Sequence, residues 1–356
     1  MKVLITAPSL DETLNVSGIS TIVRQIIEHG ESEFSHFEAG RPDGEKIGPK
    51  WLAKQTALPV RFAGRVTGFR PDVVHINTAL TDLSIARDAV LAAIARGMGK
   101  RVVLAVHGGK YLIDDCTNGT IKSLMGNMLT RSDSVVVYSE YEKALLEKRW
   151  KELKIHTLPN AIPADKVAVR TRSNAEPVIV YFGRMHESKG LHELIDAARV
   201  LAESGFKFKL KAYGEGPIRE FFVNGMRDVL GTRFEYGGIV RGDDKWAILG
   251  AADIFVLPSR YGEGMPMAIL EAMATGCIVI AADVASVATV LRDGTNGFLV
   301  KPYDAAGLAS KIKVVLSDKL SWPELRENAA ATMRNDYAIA GYIQKLEEIY
   351  RKAFNA

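Results

Sequence analysis

The sequence predicts an α/β protein made of two open, doubly wound parallel sheets, and three observations carry that expectation. Short apolar runs recur along the whole chain and are continuous rather than alternating, as strands covered on both faces must be. Segments with helical periodicity, such as 191–203 and 267–274, lie between them. Strand-helix alternation of this kind gives parallel sheets with helices on both faces. Finally, the chain has 356 residues, more than one ordinary core fills and suited to two domains.

Taken in order, strands are expected at 3–7, 73–76, 102–106, 135–138 and 155–158 in the first half. In the second half they are expected at 178–182, 208–213, 234–236, 254–257, 277–281 and 298–300. The boundary falls near 162–176, where Asn174-Ala175-Glu176-Pro177 reads as a turn before a strand that restarts the pattern. The expected domains are therefore 1–165 and 166–337, each opening with a strand, a glycine-containing turn and a helix. Beyond 322 the sequence is helical, with no further strand.

Composition bounds the function. Charged residues make up 25% and hydrophobic residues 47%, ordinary for a soluble globular protein. Cys116 and Cys277 are the only cysteines and neither has a partner at metal-ligand spacing, which suits a reducing, cytoplasmic compartment. The apolar opening meets Asp11 and Glu12 too soon for a cleavable leader and reads as a first buried strand. No stretch reaches the roughly 18 uncharged apolar residues needed to span a bilayer. The net charge is +4, and all the excess lies in residues 1–170, with 23 basic against 19 acidic side chains. That is no dense basic stripe, so nucleic acid is not an expected partner.

Four places carry residues suited to chemistry. The densest is 258–276, where a strand ends, a glycine-rich loop follows and Pro266 takes a first helical position. Backbone amides near Gly264 and Met265 then form an anion site at a helix N-terminus. Glu263 in the loop and Glu271 in the second turn are placed to grip opposite ends of one polar ligand. Two glutamates at this spacing arise by chance in many chains; the loop and helix around them make them specific. The second place is Phe182-Gly183-Arg184-Met185-His186-Glu187-Ser188-Lys189-Gly190. It also follows a strand, and Arg184 with Lys189 suits a diphosphate. The third is Ser17-Gly18, where Gly18 at a helix start lets a ligand approach the backbone. The fourth is His107-Gly108-Gly109 at a strand end, with His107 as hydrogen-bonding or acid-base group. No Asp-x-Asp pair, Walker loop or Gly-x-Ser-x-Gly elbow occurs, so neither a metal nor another cofactor is expected.

Together these segments resemble glycosyltransferase family 4, retaining enzymes of the GT-B fold, over nearly the whole chain. The resemblance is strongest from 178 to 300, where Gly183-Arg184, Lys189-Gly190, Gly214-Glu215-Gly216-Pro217, Pro258-Ser259, Glu263, Glu271 and Asp293-Gly294-Thr295-Asn296-Gly297 stand in family order. Pro71-Asp72-Val73-Val74-His75, His107-Gly108 and Pro159-Asn160-Ala161-Ile162 add weaker matches. The resemblance implies two Rossmann-like domains facing a cleft, an N-terminal acceptor-binding one and a C-terminal donor-binding one, with the helix at 338–356 packing back on the first. It implies a metal-independent hexosyltransferase using a UDP- or GDP-sugar. Arg184 and Lys189 would bind the diphosphate, Glu271 the ribose and Glu263 the transferred sugar. Gly18 would line the phosphate, His107 would contact the sugar, and the base would rest near Gly238, Ile239 and Val240. Two departures stand out: Ser17 occupies a position where the family has glycine, and 285–289 lacks an expected acidic residue.

The acceptor is expected to be a glycan or a lipid-linked molecule. Residues 41–70 interleave Arg41, Lys46, Lys50, Lys54, Arg61, Arg65 and Arg70 with Trp51, Leu52, Leu58, Phe62, Val66 and Phe69, against only Asp43 and Glu45. Such a segment fits an anionic membrane face or a helix packed on its own sheet. The first option, with the bacterial surface-glycan roles of the family, places the enzyme in the cytoplasm, peripheral on the inner membrane face. Two other readings bind the same donor: a sugar-nucleotide 2-epimerase, and a non-catalytic sugar-nucleotide-binding protein.

Overall fold

The computed structural model describes residues 1–41, 48–171 and 173–356. The chain divides into two compact units, Met1–Asn160 with Ile339–Ala356, and Ala161–Ala338. Among the described residues each unit holds one six-stranded sheet in which every pairing is parallel.

In the first unit the strands are β1 (Lys2–Ala7), β2 (Glu33–Glu38), β3 (Val73–Thr78), β4 (Arg101–Val106), β5 (Ser134–Val137) and β6 (Ile155–Thr157). Their order is β2-β1-β3-β4-β5-β6. Helices α1 (Gly18–His29), α2 (Pro49–Phe69), α3 (Asp82–Gly97), α4 (Lys110–Ile113), α5 (Gly119–Thr130) and α6 (Glu140–Arg149) make the connections. The central strand β3 is buried at every position, the polar His75, Asn77 and Thr78 included, so only its start, Val73-Val74, reads as an apolar run. Strand β2 was not expected from the sequence. It is an edge strand whose residues are mostly half-buried, so its sequence Glu-Phe-Ser-His-Phe-Glu carries no apolar run to find.

The basic segment divides on α2. Leu58, Phe62 and Val66, four residues apart, are buried in the core of the first unit, and Phe69 packs against it. The apolar stripe therefore covers the protein's own sheet, while Arg61, Arg65 and Arg70 remain exposed. Asp43, Glu45 and Lys46, and the side chains of Lys50 and Leu52, lie outside the described residues. Among the described residues no helix is long and apolar enough to cross a membrane.

The second unit contains β7 (Val178–Phe182), β8 (Lys209–Tyr213), β9 (Phe234–Tyr236), β10 (Ile254–Leu257), β11 (Ile278–Ala282) and β12 (Phe298–Val300). Its helices are α7 (Leu191–Glu203), α8 (Arg219–Leu230), α9 (Asp243–Ala251), α10 (Met267–Ala274), α11 (Val287–Val290), α12 (Ala305–Ser317) and α13 (Trp322–Asp336). The strand order β12-β11-β10-β7-β8-β9 reverses direction between β7 and β10. Such a switch point opens a crevice at the carboxyl ends of the strands, where open sheets bind ligands.

The last helix, α14 (Ile339–Phe354), returns to the first unit. Glu347 accepts hydrogen bonds from the Ser32 amide at 3.0 Å and the Ser32 hydroxyl at 2.7 Å. The Tyr350 hydroxyl lies 2.6 Å from Nδ1 of His75 on β3.

Candidate active site

The loops after β7 and β10 meet at the switch point of the second unit. The Arg260 amide donates to the Ser188 carbonyl at 2.7 Å. Gly190 has φ 67, and a Cβ there would collide with the Pro258 carbonyl; only glycine combines that backbone with that approach. Arg260 adds a bond from Nε to Oε1 of Glu193 on α7, at 2.9 Å. The two loops are thus locked before any ligand arrives.

This clasp sets Lys189 on Glu263. The ammonium lies 2.5 Å from Glu263 Oε1, with side-chain exposures of only 17% and 9%. The same oxygen accepts from the hydroxyl of buried Ser259 at 2.5 Å. The sequence assigned these two charges to different parts of a donor; the structure joins them into one unit. Arg184 is exposed, and its guanidinium makes no ion pair among the described residues. Its backbone is nonetheless fixed, because the Tyr181 hydroxyl donates to the Arg184 carbonyl at 2.9 Å. Burial, and secondarily the Glu263 charge, pushes the Tyr181 hydroxyl well above its usual pKa, so it stays a donor.

The neighbouring loops are stitched by backbone. The Met185 amide donates to Glu215 at 2.9 Å and the Gly214 amide to Gly238 at 2.7 Å. Gly214 has φ 130 and no room for a Cβ beside Gly183. Gly238, with φ 68, has open space around it, and Ile239 and Val240 follow it half-buried. Behind the β10 loop, Met265 is buried and Gly264 half-buried. Pro266 is the N-cap of α10 rather than its first helical residue, with extended ψ 117. Glu271, on α10, is only 2% exposed, and its Oε1 lies 2.5 Å from the ammonium of Lys245 on α9.

In the first unit, Gly18 is the first residue of α1 and Ser17 is its N-cap. The Ser17 hydroxyl accepts from the Ser20 amide at 3.3 Å, and Asn15 Oδ1 accepts from the Ser17 amide and Ser20 hydroxyl, both at 2.9 Å. The serine that replaces a family glycine thus caps the helix. His107 follows β4, where Gly109, at φ 112, presses on the Leu80 backbone. Its Nε2 lies 2.5 Å from Asn77 Oδ1. Asn77 donates through its Nδ2 to the Thr6 carbonyl, so its oxygen is the acceptor and His107 Nε2 carries the proton. Nδ1 then accepts from the Tyr138 hydroxyl, which burial holds well above its usual pKa. Burial pushes His107 itself down to about 3. With both nitrogens engaged and the ring neutral, the acid-base option for His107 finds no support; a fixed hydrogen-bonding group remains.

His75 is also pushed down to about 3 by burial, which has a consequence for stability. An unfolded histidine titrates near 6.5. Between pH 6.5 and about 3 the unfolded chain therefore binds more protons than the folded one, and stability rises with pH. The contribution of His75 and His107 is complete above pH 6.5 and is lost as pH falls toward 3. Urea unfolding should thus show lower stability at pH 5.0 than at pH 7.5, with a smaller difference in His75→Gln. Equal stability at the two pH values contradicts the neutral state of these histidines.

Several residues here carried no sequence signal of their contacts. Lys245 sits in a polar helix start, Ser259 was visible only as part of a motif, and Asn77, Tyr138 and Tyr181 lie within or beside strands. Motif spacing reads loops and helix starts, whereas these contacts join residues far apart in the chain. The segment 285–289 forms a turn into α11, with Ala285 at φ 50.

Comparison with known proteins gives the family. The profile described as Glycosyltransferase Family 4 matches residues 29–166, and that described as Glycosyl transferases group 1 matches 176–318. The alpha-D-kanosaminyltransferase of Streptomyces kanamyceticus is 31% identical over 185 residues, 49% of this chain and 46% of that protein. The phosphatidyl-myo-inositol mannosyltransferase of Mycobacterium tuberculosis is 30% identical over 203 residues, 54% and 53% of the two chains. The match thus spans about half the length of these two relatives. Anabaena Alr3699/HepE in complex with UDP-glucose shares the fold, with a TM-score of 0.76, 19% identity and 98% coverage of both chains. With one profile on each half and together well over half of the sequence matched, the chain belongs to the family 4 type of glycosyltransferases, with the GT-B fold.

Proposed function

We propose that the protein is a retaining glycosyltransferase that moves a hexose from a UDP- or GDP-sugar to a glycan or lipid-linked acceptor. The observation that carries this reading is the Lys189–Glu263 pair, held at the switch point by the clasped loops after β7 and β10. Breaking the bond between anomeric carbon and diphosphate builds negative charge on the leaving phosphate and oxocarbenium character on the sugar. Fixed cations at the phosphate stabilise that state more than the ground state. Lys189 supplies a preorganised charge and Arg184 a second one. Glu263, beside Lys189, faces the transferred sugar, and Glu271 receives the ribose hydroxyls. The base rests on the backbone near Gly238 and Val240, with Gly264 and Met265 beside the phosphate.

The first unit is read as the acceptor domain, with Gly18 and neutral His107 as its site residues. Retention follows from attack on the leaving-group face, a phosphate oxygen taking the acceptor proton. The name of the mycobacterial mannosyltransferase supports a lipid acceptor, and the exposed Arg61 and Arg65 suit an anionic membrane surface at the inner face of the cell membrane. The apolar stripe of α2 is already buried, so such contact is electrostatic and weakens with salt.

The test is release of nucleoside diphosphate, measured with and without acceptor lipids or glycans and with excess EDTA. Release that depends on acceptor and survives EDTA is expected, because protein cations neutralise the diphosphate. Release without acceptor, or activity lost to EDTA and restored by magnesium, overturns the reading.

A further inference from the structure

We propose that Lys245 is the positioning residue and counter-charge for Glu271, making it a determinant of nucleotide affinity; the proposal rests on reading Glu271 as the ribose-binding group. Glu271 is almost fully buried. A buried carboxylate is costly to leave uncompensated, and a donor diphosphate brings further negative charge into the same crevice. Bare, Glu271 opposes the ligand it is meant to hold. Among the described residues Lys245 is the one cation in ion-pair distance of Glu271, 2.5 Å from Oε1.

The pair engages one of the two carboxylate oxygens. Oε1 is occupied, whereas no protein donor reaches Oε2 among the described residues. A carboxylate pinned through one oxygen presents the other in a fixed direction to incoming hydroxyls. Lys245 also connects two parts of the site. It is the third residue of α9, directly after the Gly238–Val240 loop, and its amide donates to Gly242 at 3.3 Å. Gly242 takes φ 53, a left-handed turn that suits glycine. The helix that follows the proposed base seat thus reaches across to the proposed ribose seat. The Lys245 side chain is 25% exposed, which leaves it room to adjust as a ligand enters.

The experiment is calorimetry of Lys245→Met, Lys245→Arg, Glu271→Gln and the double variant Lys245→Met/Glu271→Gln. The probes are UDP, GDP and their 2′-deoxy counterparts, with thermal unfolding as the check on folding. Lys245→Met is expected to weaken binding of the preferred ribonucleotide about tenfold, one charge contact on the usual scale. It should also narrow the preference for ribose over deoxyribose, a readout that a role in packing alone does not move. Lys245→Arg should restore most of both. Adding Glu271→Gln to Lys245→Met should recover part of the affinity, because the uncompensated charge is gone. Wild-type affinity and sugar preference in Lys245→Met, or simple additivity in the double variant, overturns the proposal. Wild-type protein that binds neither UDP nor GDP instead overturns the donor-site reading beneath it.

Discussion

Lys189→Ala should lower turnover by roughly two orders of magnitude or more, the usual cost of removing a preorganised charge donor. The expectation rests on how firmly this ammonium is held. It and the Ser259 hydroxyl both donate to Oε1 of Glu263, Gly190 brings the loop against Pro258, and Arg260 ties it to Ser188. A charge fixed in advance loses nothing to reorganisation as the phosphate leaves. Arg184 has no such partner among the described residues, so Arg184→Ala should cost less, about tenfold, because part of its interaction is spent on ordering the side chain. The ion pair also changes what Glu263 can be expected to do. Glu263→Gln should alter nucleoside diphosphate affinity as well as turnover, since it releases Lys189. The double variant Lys189→Ala/Glu263→Gln should therefore be little worse than Lys189→Ala alone, as residues in contact are non-additive. Steady-state kinetics with donor and acceptor, plus calorimetry with nucleoside diphosphate, separate the outcomes. Near-wild-type turnover in Lys189→Ala ends the assignment, and strict additivity ends the idea that the pair acts as a unit.

Much of this arrangement was legible in the sequence because open α/β sheets write themselves in simple terms. Strands such as β4 and β10 are buried on both faces and read as apolar runs; the loops after β7 and β10 announce themselves through glycine and proline. What the sequence could not reveal is which charges meet. Lys189 and Glu263 are 74 residues apart in the chain, and no local pattern says that they share a hydrogen-bond distance. The same holds for Lys245 and Glu271. His107 was readable as a polar group at a strand end before two glycines, yet its state depends on Thr6 on β1, Asn77 on β3 and Tyr138 just after β5. Edge strand β2 was invisible for the opposite reason, since little of it is buried. The basic helix shows how a stripe is ambiguous until packed: Leu58, Phe62 and Val66 fit a membrane or a sheet equally well at the level of spacing.

The largest effect on stability is expected away from the loops after β7 and β10, at Asp253, which no motif marked. It lies just before β10, at the amino ends of the strands, and is fully buried. Its carboxylate accepts from Arg326 at 2.8 Å, from the Asn174 side chain at 2.7 Å and from the Val178 amide at 3.0 Å. Arg170 approaches to 3.4 Å. One carboxylate thus balances two largely buried guanidiniums and fastens the segment entering the second unit to α13. Arg326 is also stacked near the buried Trp322 ring, 5.1 Å from its centroid. Removing one member of a buried ionic cluster typically costs about 3–5 kcal/mol, because the partner charges stay behind uncompensated. Asp253→Ala should therefore destabilise the second unit by that order, against less than about 1 kcal/mol for the exposed Lys311–Asp293 pair. Taking away one of the stranded cations should help, so Asp253→Ala/Arg326→Met should be more stable than Asp253→Ala alone. Urea unfolding of both variants beside the unaltered protein measures this. A loss below about 1 kcal/mol in Asp253→Ala, or a double variant that is weaker still, would show that packing rather than charge balance holds this end of the sheet.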